Sequence, residues 1–120
     1  MLILNDIDIE GYKMEETMDI LELGNFIKLS GFKEVDRNSM VIVKKMLGNF
    51  LREMMQKETE EISITLNLKN IHKTEEQAKK HELKLNLEKS GKIYHAELVD
   101  NNIFVGISEL LKKITQQMNK

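Results

Sequence analysis

Apolar and polar residues alternate without a break from 61 to 69, EISITLNLK. Ile62, Ile64, Leu66 and Leu68 fall on one side; Ser63, Thr65, Asn67 and Lys69 fall on the other. The stretch 81–89, HELKLNLEK, repeats the pattern with Leu83, Leu85 and Leu87 against Glu82, Lys84, Asn86 and Glu88. A period of two is that of a half-buried strand, so both predict strands of one sheet, apolar on a single face. KIYHAEL, from Lys92 to Leu98, adds a strand with Tyr94, Ala96 and Leu98 on one face and His95 and Glu97 on the other. An earlier short alternation, Ile27 and Leu29 with Lys28 and Ser30, predicts the first strand, ending at Gly31. KSGK, residues 89–92, predicts a tight turn with Gly91 at positive φ, which makes the strands on either side antiparallel neighbours. The second and third strands are likewise predicted antiparallel, across the longer polar connection NIHKTEEQAKK.

Two segments change period. After Asp36 or Asn38, either able to cap a helix, Val43, Leu47, Phe50 and Met54 recur at spacings of three and four, widened by Met46 and Leu51. Ile103, Ile107, Leu110 or Leu111, Ile114 and Met118 do the same near the end, with Asp100 or Asn101 as the expected cap. The predicted order is β-α-β-β-β-α: an α+β fold, a four-stranded sheet with two helices packed on its one apolar face and the other face wet. The strand-to-helix corner after Leu98 turns the chain back across the sheet.

The 120 residues suit one domain, and 41% apolar residues suffice for a core. The formal charge of −2 conceals a division. Residues 1–25 hold seven acids and one base, Lys13, hence −6; residues 26–120 hold 17 bases and 13 acids, hence +4. We therefore divide the chain into an acidic N-terminal extension, 1–25, and a mildly basic domain, 26–120. The extension is compatible with an added strand, a loose arm, residues ahead of the usual start given Met14 and Met18 downstream, or simply a poorly ordered terminus. Folded over the basic domain, it would screen it. There is no Cys, which excludes disulfides and thiol chemistry and fits a reducing compartment. No apolar run approaches the roughly 20 residues of a membrane span, and no signal-peptide layout opens the chain, so a cytoplasmic protein is expected.

Candidate chemistry is sparse. No nucleophile motif, glycine-rich phosphate loop or marked carboxylate pair suggests catalysis, and His72, His81 and His95 lack zinc-ligand spacing. Phosphate neutralisation by Lys and Arg is the remaining class. The candidates are Lys44, Lys45 and Arg52 on the first helix, Lys69, His72, Lys73, Lys79 and Lys80 around the long connection, and Lys112 and Lys113 on the last helix. For any one of them, the competing account is an ordinary solvating charge on an amphipathic element. The few aromatics form no array for base stacking, so backbone and shape recognition fits better.

The stretch IKLSG (27–31), the first-helix stripe and above all residues 81–118 resemble the ribosome hibernation-promoting factor and ribosome-associated inhibitor family. Its features are similar to His95–Ala96 on a strand, Asp100–Asn101 at the corner, Ile103–Phe104 and Gly106–Ile107 opening a helix, and Lys113 to Gln117 trailing it. The resemblance covers about residues 26–118, with the leader outside it. It implies a βαβββα sheet related in shape to double-stranded-RNA-binding domains. It also implies binding to the small ribosomal subunit in its tRNA and mRNA channel, translation blocked by occupancy without catalysis, and no cofactor, metal, membrane or small-molecule substrate. A chain of this length resembles the family's short form. Oligomeric state stays open, a free monomer included. The alternative is a protein-interaction module or a generic structured-RNA-binding domain with the same fold.

Overall fold

The computed structural model describes residues 20–23, 26–57, 61–71 and 80–120. Five strands form one sheet in sequence order: β1 (Ile20–Leu23), β2 (Ile27–Ser30), β3 (Ile62–Ile71), β4 (Lys80–Lys89) and β5 (Lys92–Asp100). The helices are α1 (Arg37–Lys57), between β2 and β3, and α2 (Ile103–Met118), after β5. The α+β fold and the β-α-β-β-β-α order expected from the pattern are present from β2 onward. β1 is an addition: the end of the acidic leader pairs antiparallel with β2, Leu21 opposite Leu29. The remaining residues of the 1–25 extension lie outside the described residues.

β2 and β3 run parallel, Leu29 beside Leu66, which requires the crossover that α1 provides. β3, β4 and β5 are an antiparallel meander. Every inward position of β3 from Ile62 to Leu68 is buried, as are Leu83, Leu85 and Leu87 of β4 and Ile27 and Leu29 of β2. Both helices cover this face and touch each other. α1 buries Met40, Val43, Leu47 and Leu51, with Phe50 and Met54 packed at the margin. Its buried stripe thus continues from Leu47 to Leu51 rather than to Phe50. α2 buries Gly106, Ile107, Leu110 and Ile114. No polar or charged residue among those described is buried in this core.

Local chemistry sets the joints. Gly31 ends β2 with φ +85, and a Cβ there would sit 2.0 Å from the Leu68 carbonyl oxygen, so the chain passes directly against β3. Asp36 caps α1: its Oδ2 accepts from the Ser39 amide at 3.0 Å. Ser90 and Gly91, φ 54 and 77, make the two-residue turn between β4 and β5, the double positive-φ geometry that matches strand twist.

The α2 cap differs from the sequence expectation. β5 continues past Leu98 because Asp100 still pairs with His81. Asp100 therefore belongs to the strand, and the cap moves to Asn102, whose Oδ1 accepts from the Val105 amide at 3.0 Å. Asp100 steadies the corner by accepting from the Asn102 amide at 2.8 Å.

Candidate nucleic-acid interface

The sequence candidates separate onto two sides of the sheet. Lys45 and Arg52 are exposed on the outer face of α1, on one stripe with Ile42, Asn49 and Gln56. Arg52 Nη1 donates to Asn49 Oδ1 at 3.0 Å, which extends the guanidinium along the helix surface. Lys112 and Lys113 are exposed on α2, and Lys112 Nζ lies 3.6 Å from Glu109 one turn back. Lys44 is half-buried and its Nζ is covered, because it flanks the Met40–Leu47 stripe. Lys69 is exposed on the open face of the sheet, opposite the helices, and is paired in register with Glu82. Lys80 is exposed at the start of β4. His72, Lys73 and Lys79 lie outside the described residues.

Charge is distributed unequally between the layers. α1 and α2 together hold seven basic residues and two acids, Glu53 and Glu109, a balance of +5. Strands β2 to β5 hold six bases and four acids, a balance of +2. The helical layer is the more attractive side for a polyanion. Among the described residues none of the exposed large apolar side chains is aromatic; they are Ile42, Ile93, Val99 and Val105. That surface offers phosphate and groove contacts rather than stacking platforms.

The open sheet face carries residues outside the sequence-predicted set. Strand register lines up Lys28, Thr65, Asn86 and His95 in one row and Ser30, Asn67, Lys84 and Glu97 in the next. Ser30 Oγ donates to Asn67 Oδ1, and His95 Nδ1 donates to Asn86 Oδ1 at 2.5 Å. Glu97 lies 3.5 Å from His95 Nε2 and 4.0 Å from Lys84 Nζ. These groups engage one another, so the face is a cross-linked polar surface. Alternation alone placed the residues outward; their adjacency needed the register.

Among the described residues no group of three or more His, Cys, Asp or Glu could hold a metal ion, and no helix is long and apolar enough to cross a membrane. Comparison with known protein families and with curated proteins finds no match.

Proposed function

We propose that this chain binds the small ribosomal subunit through its RNA and inhibits translation in the cytoplasm by occupying the tRNA and mRNA channel during dormancy or stress. The observation that carries the reading is the charge surplus on the helical layer, with Lys45, Arg52, Lys112 and Lys113 exposed on two helices that touch over one sheet face. The resemblance of residues 26–118 to the hibernation-factor family supplies the ribosome as target. The action is occupancy, without catalysis and without a cofactor. Binding by such a surface comes mainly from phosphate neutralisation and counterion release, so it weakens steeply with salt.

Sucrose-gradient sedimentation of purified ribosomes with this protein, at low and moderate salt, tests the reading. The expected result is co-migration with the small subunit or whole ribosome, lost when Lys45, Arg52, Lys112 and Lys113 are all changed to Glu. A companion variant with Lys69 and Lys84 changed to Glu alters the open face and should still co-migrate. Absence of co-migration by the unaltered protein overturns the ribosome reading and leaves the interaction-module alternative.

A further inference from the structure

β5 is the last strand of the sheet, and among the described residues no strand lies beside its outer edge. The two-residue turn fixes which backbone groups that edge presents. Lys89 and Lys92 close the turn as a hydrogen-bonded pair, and pairs then alternate up the ladder. Ile93, His95, Glu97 and Val99 fall in the non-hydrogen-bonded pairs with β4, so their N–H and C=O groups point outward. The Gln117 amide confirms the phase, since it reaches the His95 carbonyl from outside at 2.7 Å. The same four residues project their side chains onto the open face, where Ile93 is 64% exposed and Val99 50%.

The strand, KIYHAELVD, reads as a chemical palindrome about Ala96. Lys92 mirrors Asp100, Ile93 mirrors Val99, Tyr94 mirrors Leu98 and His95 mirrors Glu97. Reversed upon itself, every position meets a complement: cation with anion at the ends, apolar with apolar inside them, imidazole with carboxylate beside the centre.

We infer that two copies of this chain pair through β5, antiparallel about a twofold axis at Ala96, into one continuous sheet. The register satisfies both requirements at once. The outward residues 93, 95, 97 and 99 become the hydrogen-bonded pairs of the new ladder, adding about eight backbone hydrogen bonds. Ile93 covers Val99 of the second copy, and His95 meets its Glu97, on the same open face. Ala96 faces its own copy in a non-hydrogen-bonded pair, Cα atoms about 4.5 Å apart. On the helical side an open trough of about 350 Å³ runs beside Ala96 and is bordered by Lys113, Gln116, Gln117 and Lys120. All four of these side chains are long and exposed, so the second copy displaces flexible groups and no core residue. Gln117 is the competitor already in place on the His95 carbonyl.

Sedimentation velocity and light scattering on the full chain without ribosomes, across a micromolar-to-millimolar range, test the pairing independently of the ribosome reading. The mass should rise with concentration towards twice 14.0 kDa. Glu97→Pro removes an outward N–H, a place where an edge strand accepts proline, and should hold the chain at one copy. Ile93→Lys keeps a favourable partner in Glu88 across β4 and serves as a second variant should the proline disturb folding; it should weaken pairing at least tenfold. Gln117→Ala, which vacates the carbonyl, should tighten pairing several-fold. The chain has no native Cys, so Ala96→Cys should form a disulfide-linked dimer on mild oxidation. A wild-type mass that stays at one copy throughout overturns the inference. So does a dimer that Ile93→Lys leaves intact, that Gln117→Ala loosens, or that Ala96→Cys fails to cross-link.

Discussion

Gln117, the penultimate residue of α2, donates its side-chain N–H to the carbonyl of His95 on the outer edge of β5, 2.7 Å away. The bond ties the last turn of the final helix to the margin of the sheet. Both partners are exposed, so water replaces either one when the bond is lost. Gln117→Ala should lower the stability of the single chain by no more than about 1 kcal/mol. Chemical denaturation at low protein concentration measures this; a loss several times larger would mean that the contact organises the α2 terminus.

Two glycines should respond in opposite directions to the same change. Gly31→Ala drives a methyl into the Leu68 carbonyl and asks an L-residue to hold φ +85, so it should cost about 3 kcal/mol or more. Gly48, inside α1, has nothing within 4 Å of where its Cβ would stand. Gly48→Ala should stabilise by about 0.5–1 kcal/mol through helix propensity. Thermal melts of the two variants beside the parent decide both.

The α2 cap can be located by alanine substitution. Asn102→Ala removes the acceptor for the Val105 amide and should cost about 1 kcal/mol. Asn101→Ala, its exposed neighbour, should stay within about 0.5 kcal/mol of the parent. The reverse order would place the cap at Asn101.

Asp36 gives a pH dependence with a fixed sign. Hydrogen bonds from the Ser39 hydroxyl and then the Ser39 amide hold its carboxyl below the ordinary 3.8. A folded value depressed below the unfolded one contributes stability above the unfolded pKa, and that contribution is lost as pH falls through the folded value. Asp36→Asn should therefore melt lower than the parent near neutral pH, with the gap closing as pH drops below about 4. Melting temperatures across the acid range read the gap, and a constant or widening gap would contradict the assignment.

If RNA is the ligand, phosphate contacts should appear in the salt dependence. Replacing Arg52 or Lys113 singly by Gln should reduce the slope of log affinity against log salt by about one each, without changing sequence preference. Removing residues 1–19, six acids and one base, leaves β1 in place and should tighten binding at low salt if the leader screens the basic side. Unchanged slopes would take Arg52 and Lys113 out of the interface, and unchanged affinity after truncation would exclude screening.

How much of this was legible depended on whether a residue's environment follows from its own neighbours. Ile62 to Leu68 and Leu83 to Leu87 alternate so strictly that their burial could be read directly, and α1 and α2 followed from their stripes. β1 could not be: ILEL is too short to declare a period, and its strand state comes from lying beside β2. The parallel pairing of β2 with β3 is likewise a tertiary choice. At the corner, Asp100, Asn101 and Asn102 all suit a cap, and the pairing of Asp100 with His81 decided among them. Lys44 read as an outward cation, yet its place beside the buried stripe covers its ammonium. In β5 both faces carry apolar residues, Tyr94 and Leu98 inward, Ile93 and Val99 outward, so the outer pair was invisible until the strand proved to be an edge.

The parallel seat of β2 also governs the order in which the molecule can assemble. β4 and β5 meet across a two-residue turn, and β3 joins them in the same local fashion, so the meander can form early. β2 and α1 are made early, but the strand against which β2 docks is made later, and α1 packs against β3 and α2, both made after it. During synthesis β1 and β2 can pair locally while α1 waits for its partners, and α2, last of the elements, closes over Leu83 when all five strands already exist. The topology thus lets the C-terminal meander form before the N-terminal elements dock on it, against the direction in which the chain is made.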